Sequence, residues 1–210
     1  MADTGTSGEF GTFLHDIFNE GQLSRIHFDE AHTITREKHF RPKFEAFRRL
    51  CLPVPIHFIT ATFPPTHEQT FESELLLIQP CPTYIRAKTN RLNTQYRVHE
   101  IPDDEMNSAI AKLVDEEAED LATGEKILIF CSSITEVKEI AEFLKCASYY
   151  SGFPTKDKAL LDWKEGRETV MVSTTGLGAG MNIRGVRVVI HVGKTYGCSA
   201  FVQGSGRGGR

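Results

Sequence analysis

Residues 23–32 read Leu-Ser-Arg-Ile-His-Phe-Asp-Glu-Ala-His, an apolar segment from Leu23 to Phe28 that runs directly into two carboxylates. The apolar part reads as a buried strand, which puts Asp29 and Glu30 at that strand's C-terminal end. A carboxylate there can hold Mg²⁺ against a polyphosphate, and a second one beside it can orient and activate an attacking water. The plainer reading of the pair is a solvated turn or a charge pair at a helix start. What surrounds the segment decides between the two.

Upstream, residues 10–18 have helical apolar spacing. Downstream, Phe40-Arg41-Pro42 opens a helix with proline in its first turn, which runs to about Leu50 with Phe44, Phe47 and Leu50 on one face. Residues 55–61 predict a second strand. Thr66 can cap a helix reaching about Leu77, and residues 84–96 read as an extended segment with polar linker residues. The second half alternates more regularly, with helices at 106–122, 134–144 and 156–163, strands at 126–130, 147–150, 169–173 and 186–191, and a helix start near Ser199. Strands alternating with short helices predict an α/β fold with a parallel, doubly wound sheet, whose ligands bind at the strands' C-terminal ends. The domain boundary is expected near residues 90–100, dividing 1–95 from 96–210.

Composition sets bounds on the rest. With 210 residues, 40% hydrophobic and 25% charged, the chain has the content of one large or two small globular domains. Its net charge of −4 offers no global basic field, so nucleic-acid binding has to come from local grooves. Five cysteines, with no C-x-x-C pair and an odd count, point to a reducing, intracellular setting. No apolar run approaches the roughly 18 residues of a bilayer span. Met1-Ala2-Asp3-Thr4 has neither the basic nor the apolar part of a signal peptide, so no membrane partner is expected.

Two further strings bear on the acids. The second strand ends in Thr60-Ala61-Thr62, two hydroxyls at the tip of a strand neighbouring the carboxylates. At the far end, residues 203–210 (QGSGRGGR) fit Q-x-x-G-R-x-G-R, which would put two guanidinium groups near a helix start. Arginines so placed can neutralise charge on a γ-phosphate. A flexible Gly/Arg segment that binds nucleic acid is the alternative.

Together these residues resemble the RecQ family of DNA helicases, within the larger DEAD/DEAH superfamily, over nearly the whole chain from about Phe10 to Arg210. Asp29-Glu30-Ala31-His32 is the box that names the DEAH group. His39-Phe40-Arg41-Pro42 looks like the segment after that box, and Arg91-Leu92-Asn93 resembles the R-P-N linker motif. Residues 126–133 (KILIFCSS) are similar to motif IV, residues 173–187 (STTGLGAGMNIRGVR) to motif V, and residues 203–210 to motif VI. The resemblance implies two RecA-like parallel-sheet lobes of the P-loop NTPase type, the first truncated at its N-terminus. It also implies an ATP-dependent 3′-to-5′ DNA helicase with ATP and Mg²⁺ as cofactors, single-stranded and duplex DNA as partners, and a nuclear location. By the same resemblance Asp29 would ligate Mg²⁺ through water and Glu30 would be the hydrolytic base, while His32, Thr60 and Thr62 would couple hydrolysis to domain movement. Gln203, Arg207 and Arg210 would face the γ-phosphate, one of the arginines as the arginine finger. Phe40, Arg41, Ser132, Ser133, Thr174, Gly176 and Asn182 would contact nucleic acid. Ser133 and Glu136 have the spacing of a capping box, which would aim helix N–H groups at a phosphate.

The chain also departs from the family. RecQ proteins carry a tryptophan in an aromatic-rich loop after the box, whereas residues 33–38 (TITREK) hold no aromatic. Ile134 stands where the motif IV arginine is usual, Asn182 replaces the motif V aspartate, and Tyr150 sits where a histidine is common. No G-x-x-x-x-G-K-[ST] loop occurs. Gly193-Lys194-Thr195 imitates its end, but Val188 stands where the first glycine is needed, and residues 189–192 belong to a strand. Gly176, Gly178 and Gly180 imitate a dinucleotide fingerprint, but its third glycine would fall on Met181. The chain alone is therefore expected to hydrolyse ATP poorly, with the missing N-terminal part or another protein covering the incomplete first lobe. A non-catalytic nucleic-acid- or partner-binding remnant is the alternative. His27, His57 and His191, inside apolar strands, are expected in the core, as are Cys131, Cys146 and Trp163.

Overall fold

The computed structural model describes residues 8–33, 53–75, 82–89, 91–174, 177, 183–195 and 197–209. The expected helix after Pro42 lies outside them, as do the candidate residues Phe40, Arg41, Gly176, Asn182 and Arg210. The chain divides into two compact units, Met1–Thr89 and Asn90–Arg210.

In the first unit, helix α1 (Gly8–Asn19) precedes β1 (Ile26–Asp29), which pairs in parallel with β2 (Ile56–Ile59). Both strands are shorter than their apolar runs. The N–H groups of Gln22 and Leu23 close the end of α1 by donating to Ile17 O at 2.8 and 3.1 Å, which withholds them from a ladder. Pairing starts where Ile26 N–H reaches Pro55 O at 3.0 Å. Ile26 and Phe28 turn one face toward Leu14 and Val54. His27 and His57 lie on the opposite face, exposed and edge-to-face with ring centroids 4.7 Å apart. They are therefore not core residues, because strand alternation assigns them to the other side. Thr66 falls within a 3-10 turn (Pro65–His67) instead of capping the helix that follows, α2 (Glu68–Leu75). Phe71 of α2 packs beside Ala31, Phe58 and Phe63.

The second unit is a four-stranded parallel sheet, as the alternating pattern predicts, and from edge to edge its strands are Ala147–Tyr149, Val170–Thr174, Lys126–Cys131 and Val186–His191. Its elements are α3 (Met106–Glu119), β3 (Lys126–Cys131), α4 (Ile134–Leu144), β4 (Ala147–Tyr149), α5 (Lys156–Lys164), β5 (Val170–Thr174), β6 (Val186–His191) and α6 (Cys198–Ser205). Every residue of β3 is buried, as expected for a central strand covered on both faces. On one side Ile127, Ile129 and Cys131 meet Ile110 and Val114 of α3 and Val137, Ile140 and Ala141 of α4. On the other, Leu128 and Phe130 meet Leu160 and Trp163 of α5 together with Met171, Leu177, Ile183 and Val186. Each fully buried aliphatic side chain stabilises the fold by roughly 1.5–3 kcal/mol, so β3 anchors the lobe. Burial pushes the Cys131 and Cys146 thiols up to about 12, as befits apolar packing groups.

Candidate functional site

In the first unit the two acids stand at the C-terminal end of β1. The Glu30 N–H donates to Asp29 Oδ1 at 2.9 Å, and Glu30 itself has φ +54°, a left-handed conformation uncommon outside glycine. Thr33 N–H then donates to Glu30 O at 3.0 Å, closing a turn that carries His32 inward to 4% exposure. Three oxygens surround His32 Nδ1: Thr60 Oγ1 at 2.9 Å, Thr62 Oγ1 at 3.2 Å and Glu30 Oε2 at 3.2 Å. The carboxylate can only accept, which favours the tautomer with the proton on Nδ1. Thr60 Oγ1 also accepts from Thr62 N–H at 3.2 Å, so the tip of β2 is folded around the same atom. The structure thus brings together Glu30, His32, Thr60 and Thr62 from two adjacent strand ends, with Asp29 exposed beside them.

In the second unit, Ser132, Ser133 and Thr174 stand at the C-terminal ends of β3 and β5, whose last residues Cys131 and Thr174 pair. The capping box forms: Ser133 Oγ accepts from Glu136 N–H at 3.1 Å. Its other half is also in place. The Glu136 carboxylate accepts from Ser132 N–H at 2.9 Å, Ser133 N–H at 3.3 Å and Ser132 Oγ–H at 2.9 Å. The carboxylate therefore holds the N–H groups of the N-cap residue and the residue before it, while the first-turn amides of Ile134 and Thr135 are not among its donors. The Gly193-Lys194-Thr195 tripeptide is an exit loop after β6, with Gly193 at φ +65° and α6 starting only at Cys198.

Motif VI lies differently from the expectation. Gln203 is in the last turn of α6, and Arg207 follows that helix, so the guanidinium group stands near a helix end and not a helix start. The glycine-rich close ends the helix, as Arg207 N–H turns back to Gly204 O at 3.0 Å and Gly208 N–H to Ser205 O at 3.1 Å. Arg207 is buried, at 6% exposure. A residue the sequence treated only as core seats the helix. His191 Nε2 lies 3.1 Å from Ser205 Oγ, and its ring packs between Phe130 and Phe201 at 5.4 and 4.8 Å. Arg91 and Asn93, read from the sequence as linker, also reach this segment: both donate to the Gly209 carbonyl, at 2.9 and 3.1 Å.

Burial holds the His191 imidazole below its ordinary value of 6.5. As pH falls past that value the unfolded chain takes up the proton first, so this contribution to stability is complete above about 6.5 and is lost as pH drops through the lower folded value. Urea unfolding followed by the single tryptophan, Trp163, is expected to show stability falling between pH 7.5 and 5.5 by up to about 1.4 kcal/mol per unit from this group. In His191→Gln that component should vanish; equal pH slopes in both proteins would refute it.

Residues 106–210, half of the chain, match the family described as the helicase conserved C-terminal domain. The chain belongs to this helicase family. Among curated proteins, the ATP-dependent DNA helicase Q-like 2 of Arabidopsis thaliana is 31% identical over 97% of this chain and 30% of its own length. The ATP-dependent DNA helicase Q1 of Pongo abelii is 27% identical over 96% of this chain and 32% of its own. The helicase chain thus spans about a third of the length of these relatives, and its sequence is RecQ-like. A solved structure of S. cerevisiae Dbp5 bound to RNA and ADP BeF3 superposes with TM-score 0.59 at 19% identity, covering 95% of this chain and 55% of that one. That likeness establishes the fold, the RecA-like parallel α/β architecture of helicases.

Proposed function

We propose that the chain works within an ATP-dependent 3′-to-5′ DNA helicase of the RecQ type, coupling ATP hydrolysis to movement along single-stranded DNA and unwinding of duplex DNA. The observation that carries this reading is the cluster on His32 Nδ1, which ties the Glu30 carboxylate to both hydroxyls at the neighbouring strand tip. A base linked in this way to a second strand end can report hydrolysis to whatever that strand end touches. In this reading Glu30 takes a proton from the attacking water, His32 holds Glu30 and the threonines in register, and Gln203, Arg207 and Arg210 serve the γ-phosphate. Ser132, Ser133, Thr174, Gly176 and Asn182, with Phe40 and Arg41, track the strand by its backbone and so without a base code.

Asp29 fits Mg²⁺. It is an exposed carboxylate whose Oδ1 is already oriented by a backbone N–H, and among the described residues no group of three or more His, Cys, Asp or Glu forms a dedicated cage. Mg²⁺ takes one or two carboxylates, substrate phosphates and retained waters, and when bound it supplies charge neutralisation at the phosphates. No sequence among the 210 residues has the form of a phosphate-cradling loop, so turnover by this chain alone is expected to be slow. In this reading the chain works in the nucleus, in repair and recombination.

An equilibrium titration of fluorescent single-stranded DNA, with and without a Mg²⁺-bound non-hydrolysable ATP analogue, tests the reading. Salt-sensitive binding whose affinity shifts several-fold with nucleotide is expected. Binding that ignores nucleotide would instead mark a non-catalytic remnant. Rapid DNA-stimulated phosphate release, abolished in Glu30→Gln, would overturn the expectation of slow turnover.

A further inference from the structure

We infer that Arg91 and Asn93 are positioning residues for Arg207, forming a latch that fixes the backbone on both sides of it. One guanidinium group bridges that segment: Arg91 Nη1 donates to Gly206 O at 3.2 Å and Nη2 to Gly209 O at 2.9 Å. Asn93 Nδ2 adds a second donor to the same Gly209 carbonyl at 3.1 Å. The two side chains belong to one tight turn, closed by Thr94 N–H donating to Arg91 O at 3.1 Å, while Leu92 between them points into solvent at 97% exposure. The turn therefore presents its two donors on one side and nothing apolar.

The other half of the latch is shaped to receive it. Gly209 has φ +65°, and a Cβ there would lie 2.9 Å from Asn93 Nδ2 and 3.4 Å from Arg91 Nη2, so the approach needs glycine. Gly209 N–H is bonded to Val186 O at 2.8 Å at the start of β6, and a Cβ on Gly208 would touch Val189. The segment after α6 is thus pinned to the sheet by its N–H and to the turn by its carbonyls, with Arg207 between the two bridged carbonyls. A planar guanidinium spans two acceptors in fixed geometry, which an ammonium cannot do. The turn is also the first folded element after the boundary at Thr89, so the connection between the two units ends on the backbone that carries Arg207. The meaning of the latch for nucleotide chemistry rests on the helicase reading; its existence does not.

Amide hydrogen exchange and the side-chain Nε–H resonance of Arg207, recorded by NMR on the whole chain, test the latch. In Arg91→Gln the Gly208 and Gly209 amides are expected to exchange at least tenfold faster and the Arg207 Nε–H signal to shift, with the β3 amides changed by less than twofold. Asn93→Ala should give a smaller effect in the same place, and Arg91→Lys only partial recovery, since lysine restores the charge and not the bridge. Unchanged exchange at residues 208–209, equal acceleration throughout β3, or full recovery with lysine would each overturn the latch. A chain whose DNA affinity ignores nucleotide would overturn the helicase reading and leave the exchange result standing.

Discussion

Trp163→Ala is expected to destabilise the second unit by about 3–5 kcal/mol, a large part of the 5–15 kcal/mol typical of a whole domain. Trp163 is fully buried and is the largest of the buried side chains, packed with Leu128, Leu160, Met171 and Leu177. The cost comes from the cavity more than from the hydrogen bond. Its indole N–H donates to Thr169 O at 3.1 Å, but that carbonyl also accepts from Ile127 N–H at 2.9 Å and would keep a partner. Trp163→Phe should therefore lose only about 0.5–1.5 kcal/mol through the missing bond, plus a smaller packing term. Urea unfolding followed by circular dichroism separates the two. A loss below about 1 kcal/mol in the alanine variant would show that α5 collapses onto the sheet and refills the space.

Gly204→Val is expected to cost about 1–3 kcal/mol or more, against the ordinary direction for a glycine inside a helix. A Cβ at Gly204 would stand 2.7 Å from His191 Cε1 and 3.2 Å from Phe130 Cε2, both ring atoms wedged into the sheet. The contrast is Gly11 in α1, where nothing lies within 4 Å of the added carbon. There alanine should stabilise by about 0.5–1 kcal/mol through helix propensity alone. Thermal unfolding of the two variants should therefore shift in opposite directions, and a neutral Gly204→Val would mean that α6 can lift from β6 without loss.

Much of this was legible in the sequence because it depends on neighbours along the chain. The strands and helices of the second unit follow from their alternating apolar pattern, and the Ser133/Glu136 box from a three-residue spacing. The clustering of His32 with Thr60 and Thr62 was expected through the family resemblance, and the structure gives it distances. Other features depend on where strands begin and on who sits opposite. The apolar run at residues 23–28 does not reveal that the end of α1 claims Gln22 and Leu23, or that alternation turns His27 and His57 outward. The seat of α6 on His191 needs the ring and the glycine face to face. Arg91 and Gly206 are 115 positions apart, and no local pattern pairs an arginine with a carbonyl at that distance.

The carboxylate of Glu136 at the start of α4 has a consequence for any anion that approaches this helix end. A phosphate that sought the donors of Ser132 and Ser133 would not meet them empty; it would have to exchange with an anion already seated on them. The net gain is then the small difference between two similar attractions, and the Glu136 side chain is covalently at hand to reclaim the position. Such a contact would be shallow in both directions and would release as readily as it forms.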